Sequence, residues 1–163
     1  MLPNEEVIFS FSTAKGKKMV LAKDTTEAYI VYRFGTNAKI EFEYPEQKEG
    51  SRKKFTYSFY LRGGGEENEG LDLNYVYFVS NGLKYVIYNN YSAADDKPSC
   101  GIKVIDETKE KTTVIHGDSK TITGSLLEFR FNNLLETGEE LFDWQKYLRW
   151  SITFTELSII TNS

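Results

Sequence analysis

Residues 55–91 form three aromatic runs separated by two breaks, Gly63-Gly64-Gly65 and Asn81-Gly82. In the first run Phe55, Tyr57, Phe59 and Leu61 occupy every second position, while Thr56, Ser58, Tyr60 and Arg62 face outward or toward a second layer. A repeat of two is the mark of a β-strand whose successive side chains point to opposite faces. Asn81-Gly82 is a hairpin signal, because a type I′ turn needs positive φ at both central residues. It is expected to join strands at 74–80 and 83–91. The stretch therefore predicts a β-meander that carries one conspicuous polar loop.

The same period recurs elsewhere. Lys39-Ile40-Glu41-Phe42-Glu43-Tyr44 separates apolar residues from carboxylates, as a half-buried antiparallel strand does. Runs at 7–12 and 18–23 flank the turn Ala14-Lys15-Gly16, and 28–34 ends at Gly35. After the loop Asp95-Asp96-Lys97-Pro98, strands are expected at 101–106, 111–116 and 125–131. The period then changes: Thr137-Gly138-Glu139-Glu140 has the form of a capping box, and Leu141, Trp144, Tyr147 and Leu148 recur at helical spacing. This predicts a helix over 138–149, and β-type residues at 151–160 predict a terminal strand. The expected fold is a single all-β domain over 1–163, an antiparallel sandwich or barrel of about ten strands with one C-terminal helix. A parallel α/β fold would need crossover helices that the pattern does not supply.

Composition narrows the functional classes. A chain of 163 residues, 40% hydrophobic, is of a size that buries roughly 70% of its unfolded surface, so it needs neither disulfides nor a structural metal. Cys100 is alone, which excludes an internal disulfide and a multi-cysteine zinc site. A net charge of -4 opposes general nucleic-acid binding, which requires a basic stripe. The basic clusters Lys15, Lys17, Lys18 and Arg52, Lys53, Lys54 are short and lie beside turns, as solvated strand ends do. No apolar run approaches the roughly 20 residues of a membrane helix, and residues 1–4 lack the features of a signal peptide. Localisation stays open between a bacterial periplasm after leader removal and, given the single cysteine, a cytoplasm.

Catalytic, cofactor and metal sites are not expected. The Gly63-Gly64-Gly65 break leads through Glu66-Glu67-Asn68-Glu69-Gly70 into another strand, without the helix and Lys-Ser/Thr of a phosphate loop. It reads as a mobile or tightly bent connection in which glycine supplies backbone angles denied to other residues. Glu66, Glu67, Glu69 and Asp72 follow no calcium-loop spacing. His116 is the single histidine, no Gly-x-Ser-x-Gly elbow is present, and Cys100 suits a buried hydrophobe better than a nucleophile. Tyr29, Tyr32, Tyr57, Tyr60, Tyr75, Tyr77, Tyr85, Tyr88 and Tyr91 all fall in expected strands. Most are expected in the core, and alternation predicts that some are exposed and available for protein recognition or sugar stacking.

The segments Ser10-Phe11-Ser12-Thr13 through Gly16-Lys17-Lys18, Ile30-Val31-Tyr32-Arg33-Phe34-Gly35, Phe59-Tyr60-Leu61-Arg62-Gly63-Gly64-Gly65 and Gly70-Leu71-Asp72-Leu73-Asn74-Tyr75 resemble a group of small, uncharacterised bacterial envelope β-proteins. The resemblance covers roughly residues 7–131, and its most distinctive element is the Leu-Arg-Gly-Gly-Gly to Leu-Asp-Leu-Asn block. It implies an exported protein with a cysteine pair near the first hairpin; the corresponding positions here are Phe11 and Ala22. A looser likeness, of size and style, is to bacterial lysozyme inhibitors. The resulting expectation is a non-enzymatic bacterial protein-binding domain, an inhibitor or toxin-immunity protein, whose partner presents a basic surface. Its contact residues would be Arg62, Gly63, Gly64, Gly65, Glu66, Glu67, Glu69 and Asp72, with Tyr60 and Tyr75 at the rim. Two alternatives remain: a carbohydrate-binding module or glycan-active enzyme, and a structural envelope protein.

Overall fold

A computed structural model describes residues 1–65 and 69–143. Among the described residues, eleven strands form two sheets. The strands are β1 (Glu5–Ser12), β2 (Lys18–Asp24), β3 (Ile30–Gly35), β4 (Ile40–Tyr44), β5 (Thr56–Arg62), β6 (Leu71–Ser80), β7 (Leu83–Ser92), β8 (Lys97–Asp106), β9 (Lys111–His116), β10 (Asp118–Gly124) and β11 (Glu136–Thr137). Sheet 1 has the order β10-β1-β2-β3-β4 and sheet 2 the order β11-β5-β6-β7-β8-β9. Every pairing is antiparallel except that of β11 with β5. The all-β reading holds, as a sandwich with no closed barrel.

The expected strands up to β9 are present within a few residues of their predicted bounds. Asn81 (φ 50°) and Gly82 (φ 75°) both adopt the left-handed backbone that the β6–β7 hairpin requires. Gly117 lies where the chain leaves sheet 2 as β9 and enters sheet 1 as β10. A Cβ there would run into the Phe11 ring and the Cys100 sulfur. The chain thus crosses between the sheets at Gly117-Asp118.

Two expectations near the C-terminal end are corrected. Residues 125–131 are not a strand: Leu126–Glu128 form a 3-10 turn and Phe129–Asn132 a short helix, α1. The reason is local, because the Ser125 hydroxyl accepts from the Leu127 amide at 3.1 Å and caps the turn, which places Leu126 and Phe129 together in the core. Conversely, residues 138–143 carry no helix. Thr137 pairs with Tyr57, the Gly138 amide donates to the Tyr57 carbonyl at 2.7 Å, and the Ser58 hydroxyl donates to the Glu140 carbonyl at 2.6 Å. Sheet-edge pairing has taken the backbone groups a helix would need. The rest of the expected helix, at 144–149, and the strand expected at 151–160 lie outside the described residues.

The core lies between the sheets. Phe9, Phe11, Met19, Leu21, Ile30 and Tyr32 of sheet 1 face Phe55, Tyr57, Val76, Phe78, Ile87 and Ile102 of sheet 2. Phe78 is its aromatic centre, stacked on Tyr44 at 4.2 Å and on Tyr85 at 5.1 Å between ring centroids. On the outer face of sheet 1, Arg33 donates from Nη1 and Nη2 to Glu5 at 2.6 and 3.0 Å and from Nε to Glu43 at 2.5 Å. The Glu5 side chain is fully enclosed, and the Tyr29 hydroxyl also donates to it. The Arg33 hydrogen bonds outweigh burial and hold the Glu5 carboxyl down to about 2.

Candidate functional site

The register of sheet 2 lets its inner face be read in rows running from the core to one rim. Tyr57, Val76, Ile87 and Ile102 form a fully buried row. Phe59, Asn74, Asn89 and Cys100 form the next, and Leu61, Asp72, Tyr91 and Pro98 the outermost. At about 3.3 Å per residue, β5 runs roughly 13 Å from the first row to the last. Exposure rises toward the rim: Phe59 is 37%, Tyr91 41% and Leu61 59% exposed, while Asn74 and Cys100 of the middle row stay buried. Phe131, on α1, is 75% exposed. The projecting rim is an apolar ledge on the outside of the sandwich.

Polar groups organise the ledge. The Arg130 guanidinium lies over the Phe59 ring at 4.3 Å and donates from Nη2 to Asp72 at 2.7 Å and to Asn74 at 3.1 Å. The Tyr57 hydroxyl also donates to Asn74, at 2.5 Å, and burial raises its pKa. The Arg130 Nε is buried without a hydrogen-bond partner, which makes this arginine incompletely satisfied.

Two loops meet at the same rim. The β5–β6 connection, 63–70, is tied to the β7–β8 turn by the Ala93 amide, which donates to the Gly70 carbonyl at 2.9 Å. Arg62 Nε donates to the Glu69 carbonyl at 3.0 Å, and the Tyr91 hydroxyl donates to Asp96 at 2.9 Å. Glu69, Asp95 and Asp96 are exposed, so acidic groups border the apolar rows.

The residues expected at the site are divided by the fold. Arg62, Gly63, Gly64, Gly65, Glu69 and Asp72 lie together at the ledge, while Glu66 and Glu67 lie outside the described residues. Tyr60 and Tyr75 are on the other face of sheet 2, packed in a second apolar cluster with Leu73, Val86 and Tyr88. Tyr75 is fully buried beneath Phe142 and Asp143. The reading of the triple glycine also changes: neither Gly63 nor Gly65 has a positive φ, and a Cβ at either would meet nothing within 4 Å. Of the nine strand tyrosines, Tyr91 alone is exposed.

Phe59, Leu61, Tyr91, Arg130 and Phe131 were not anticipated at a site. The alternation that placed Phe59 and Leu61 with Phe55 and Tyr57 was correct, but alternation does not say where the opposing sheet ends. Cys100 is buried, and burial pushes its thiol up to about 11, away from nucleophilic chemistry. His116 is exposed, with Nδ1 3.5 Å from the Tyr88 hydroxyl. Among the described residues no group of three or more His, Cys, Asp or Glu side chains could hold a metal ion, and no helix is long and apolar enough to cross a membrane. No protein-family model, curated protein or solved structure matches the chain.

Proposed function

We propose that this chain is a non-enzymatic protein-binding domain that engages a partner through the ledge of sheet 2. The observation that carries the reading is the outermost row, in which Leu61 on β5 and Tyr91 on β7 stand exposed on the two strands that flank Asp72 of β6. Contiguous apolar and aromatic surface rimmed by polar residues is the usual make-up of an interface centre. Acidic groups at the border suit a partner with a basic surface, because complementary charge speeds encounter and makes it salt-sensitive. Within that class the envelope-protein resemblance favours a bacterial inhibitor or toxin-immunity protein. Carbohydrate binding is the weaker reading, since the Phe59 ring stacks on Tyr57 at 5.7 Å and already carries Arg130.

The test uses the full chain and its Leu61→Ser, Tyr91→Ser double variant as baits in native lysate, with captured proteins quantified at low and high salt. A species held by the natural chain, lost with the variant and weakened by salt is the expected result. Equal capture by both baits sinks the ledge as the binding surface.

A further inference from the structure

The outer face of sheet 2 is covered by residues 138–143, and their contacts are those of a bound peptide. The main chain continues from β11 at the sheet edge, held by the Gly138–Tyr57 and Ser58–Glu140 hydrogen bonds. The Phe142 ring meets Tyr75 and Tyr77 edge-on, with both centroid distances 5.2 Å. The Asp143 carboxylate accepts from the Tyr75 hydroxyl at 3.1 Å, from Asn90 Nδ2 at 3.0 Å and from Lys103 Nζ. Lys84 Nζ pairs with Glu140 at 2.6 Å and also with Glu107 of the β8–β9 turn at 2.8 Å. An edge pairing, an aromatic pocket and two lysines matched to two carboxylates together define a recognition code.

The covering segment is also less enclosed than the strands beneath it. None of residues 138–143 is fully buried, whereas Leu73, Tyr75 and Val86 beneath them are. A segment held from one side opens at lower free energy than the strands it covers. We propose that this face is a recognition groove for an extended acidic-aromatic segment of a partner protein, closed in this chain by its own residues 138–143 and opened when that strap lifts. The two lysines select the acidic occupant, and Tyr75 and Tyr77 select its aromatic residue. The groove is on the face opposite the ledge and does not depend on the ledge reading.

The experiment compares the full chain with its Phe142→Ala, Asp143→Ala variant, which weakens the strap and leaves the groove intact. The probe is a fluorescent peptide of residues 137–143, with a control peptide carrying the same two substitutions. The variant is expected to bind the probe, and the control roughly tenfold or more weaker. A variant that melts cooperatively yet binds neither peptide, or binds both equally, overturns the proposal. Concentration-dependent dimerisation by strap exchange would overturn it in favour of a second copy as the occupant. Should the variant fail to fold, hydrogen exchange on the natural chain decides. The Gly138 amide is expected to exchange faster than the amides of β6 and β7, and exchange only through global unfolding would show that the strap never lifts.

Discussion

Arg33 and Arg130 are almost equally enclosed, with side chains 9% and 11% exposed, yet their surroundings differ. Arg33 uses Nε, Nη1 and Nη2 on two carboxylates, one of them fully buried. Arg130 meets the single, part-exposed Asp72, leaves Nε without a partner and spreads its guanidinium over Phe59. The first arrangement engages all three guanidinium nitrogens inside the chain and holds strands together. The second stiffens a surface while leaving apolar rows beside it in water. The same residue type thus sits in two settings, one that ties strands of sheet 1 together and one beside the exposed residues of the ledge.

The largest expected effect tests the first cluster. The Glu5 carboxyl lies at about 2 instead of its ordinary 4.5, which corresponds to about 3 kcal/mol of stability. Because the folded pKa is lowered, that contribution is complete above pH 4.5 and disappears as pH falls toward 2. Glu5→Gln should therefore cost about 3 kcal/mol at neutral pH and make the acid-induced loss smaller by about 2 kcal/mol between pH 7 and pH 3, measured by urea unfolding at the two pH values. A variant that still loses stability over the range as the natural chain does would remove Glu5 from this role.

Arg130→Ala should cost less, about 1–2 kcal/mol, since it frees a part-exposed carboxylate and uncovers one face of Phe59. A loss equal to that of Glu5→Gln would erase the contrast between the clusters and make the ledge a structural feature. Smaller still, Leu61→Ser should leave the unfolding midpoint in urea nearly unchanged, within about 0.5 kcal/mol, because its side chain already stands in solvent. A clear destabilisation would show that the outer row is packed. Gly63→Ala is expected to be the mildest change, also within about 0.5 kcal/mol in thermal melts. A larger loss would restore the idea that the loop needs glycine.

Much of this architecture was legible. The two-residue period exposed β1 to β9 because each has at least one face against an apolar layer, and Asn81-Gly82 announced its hairpin because few other pairs tolerate two positive φ angles. The errors concentrated where local signals compete. Thr137-Gly138-Glu139-Glu140 resembles a helix start, but the free edge of β5 supplied better partners for its backbone. Leu126 and Phe129 look like strand residues until Ser125 is recognised as a cap. At the candidate site Asp72 joins the outermost row, while Tyr75 lies on the other face under residues 138–143, because a covering strap leaves no trace in alternation.

What the sequence determined by itself is the β-character of the chain, the partition of each strand into two faces and the position of the polar loop, since these depend on neighbours one to four residues apart. Only the tertiary structure decided which faces are covered. Tyr57 and Leu61 share one face of one strand, and the first is buried while the second is exposed. Tyr57 lies against Phe129 of α1 while Leu61 stands at the rim, a difference set by contacts between residues distant in the chain.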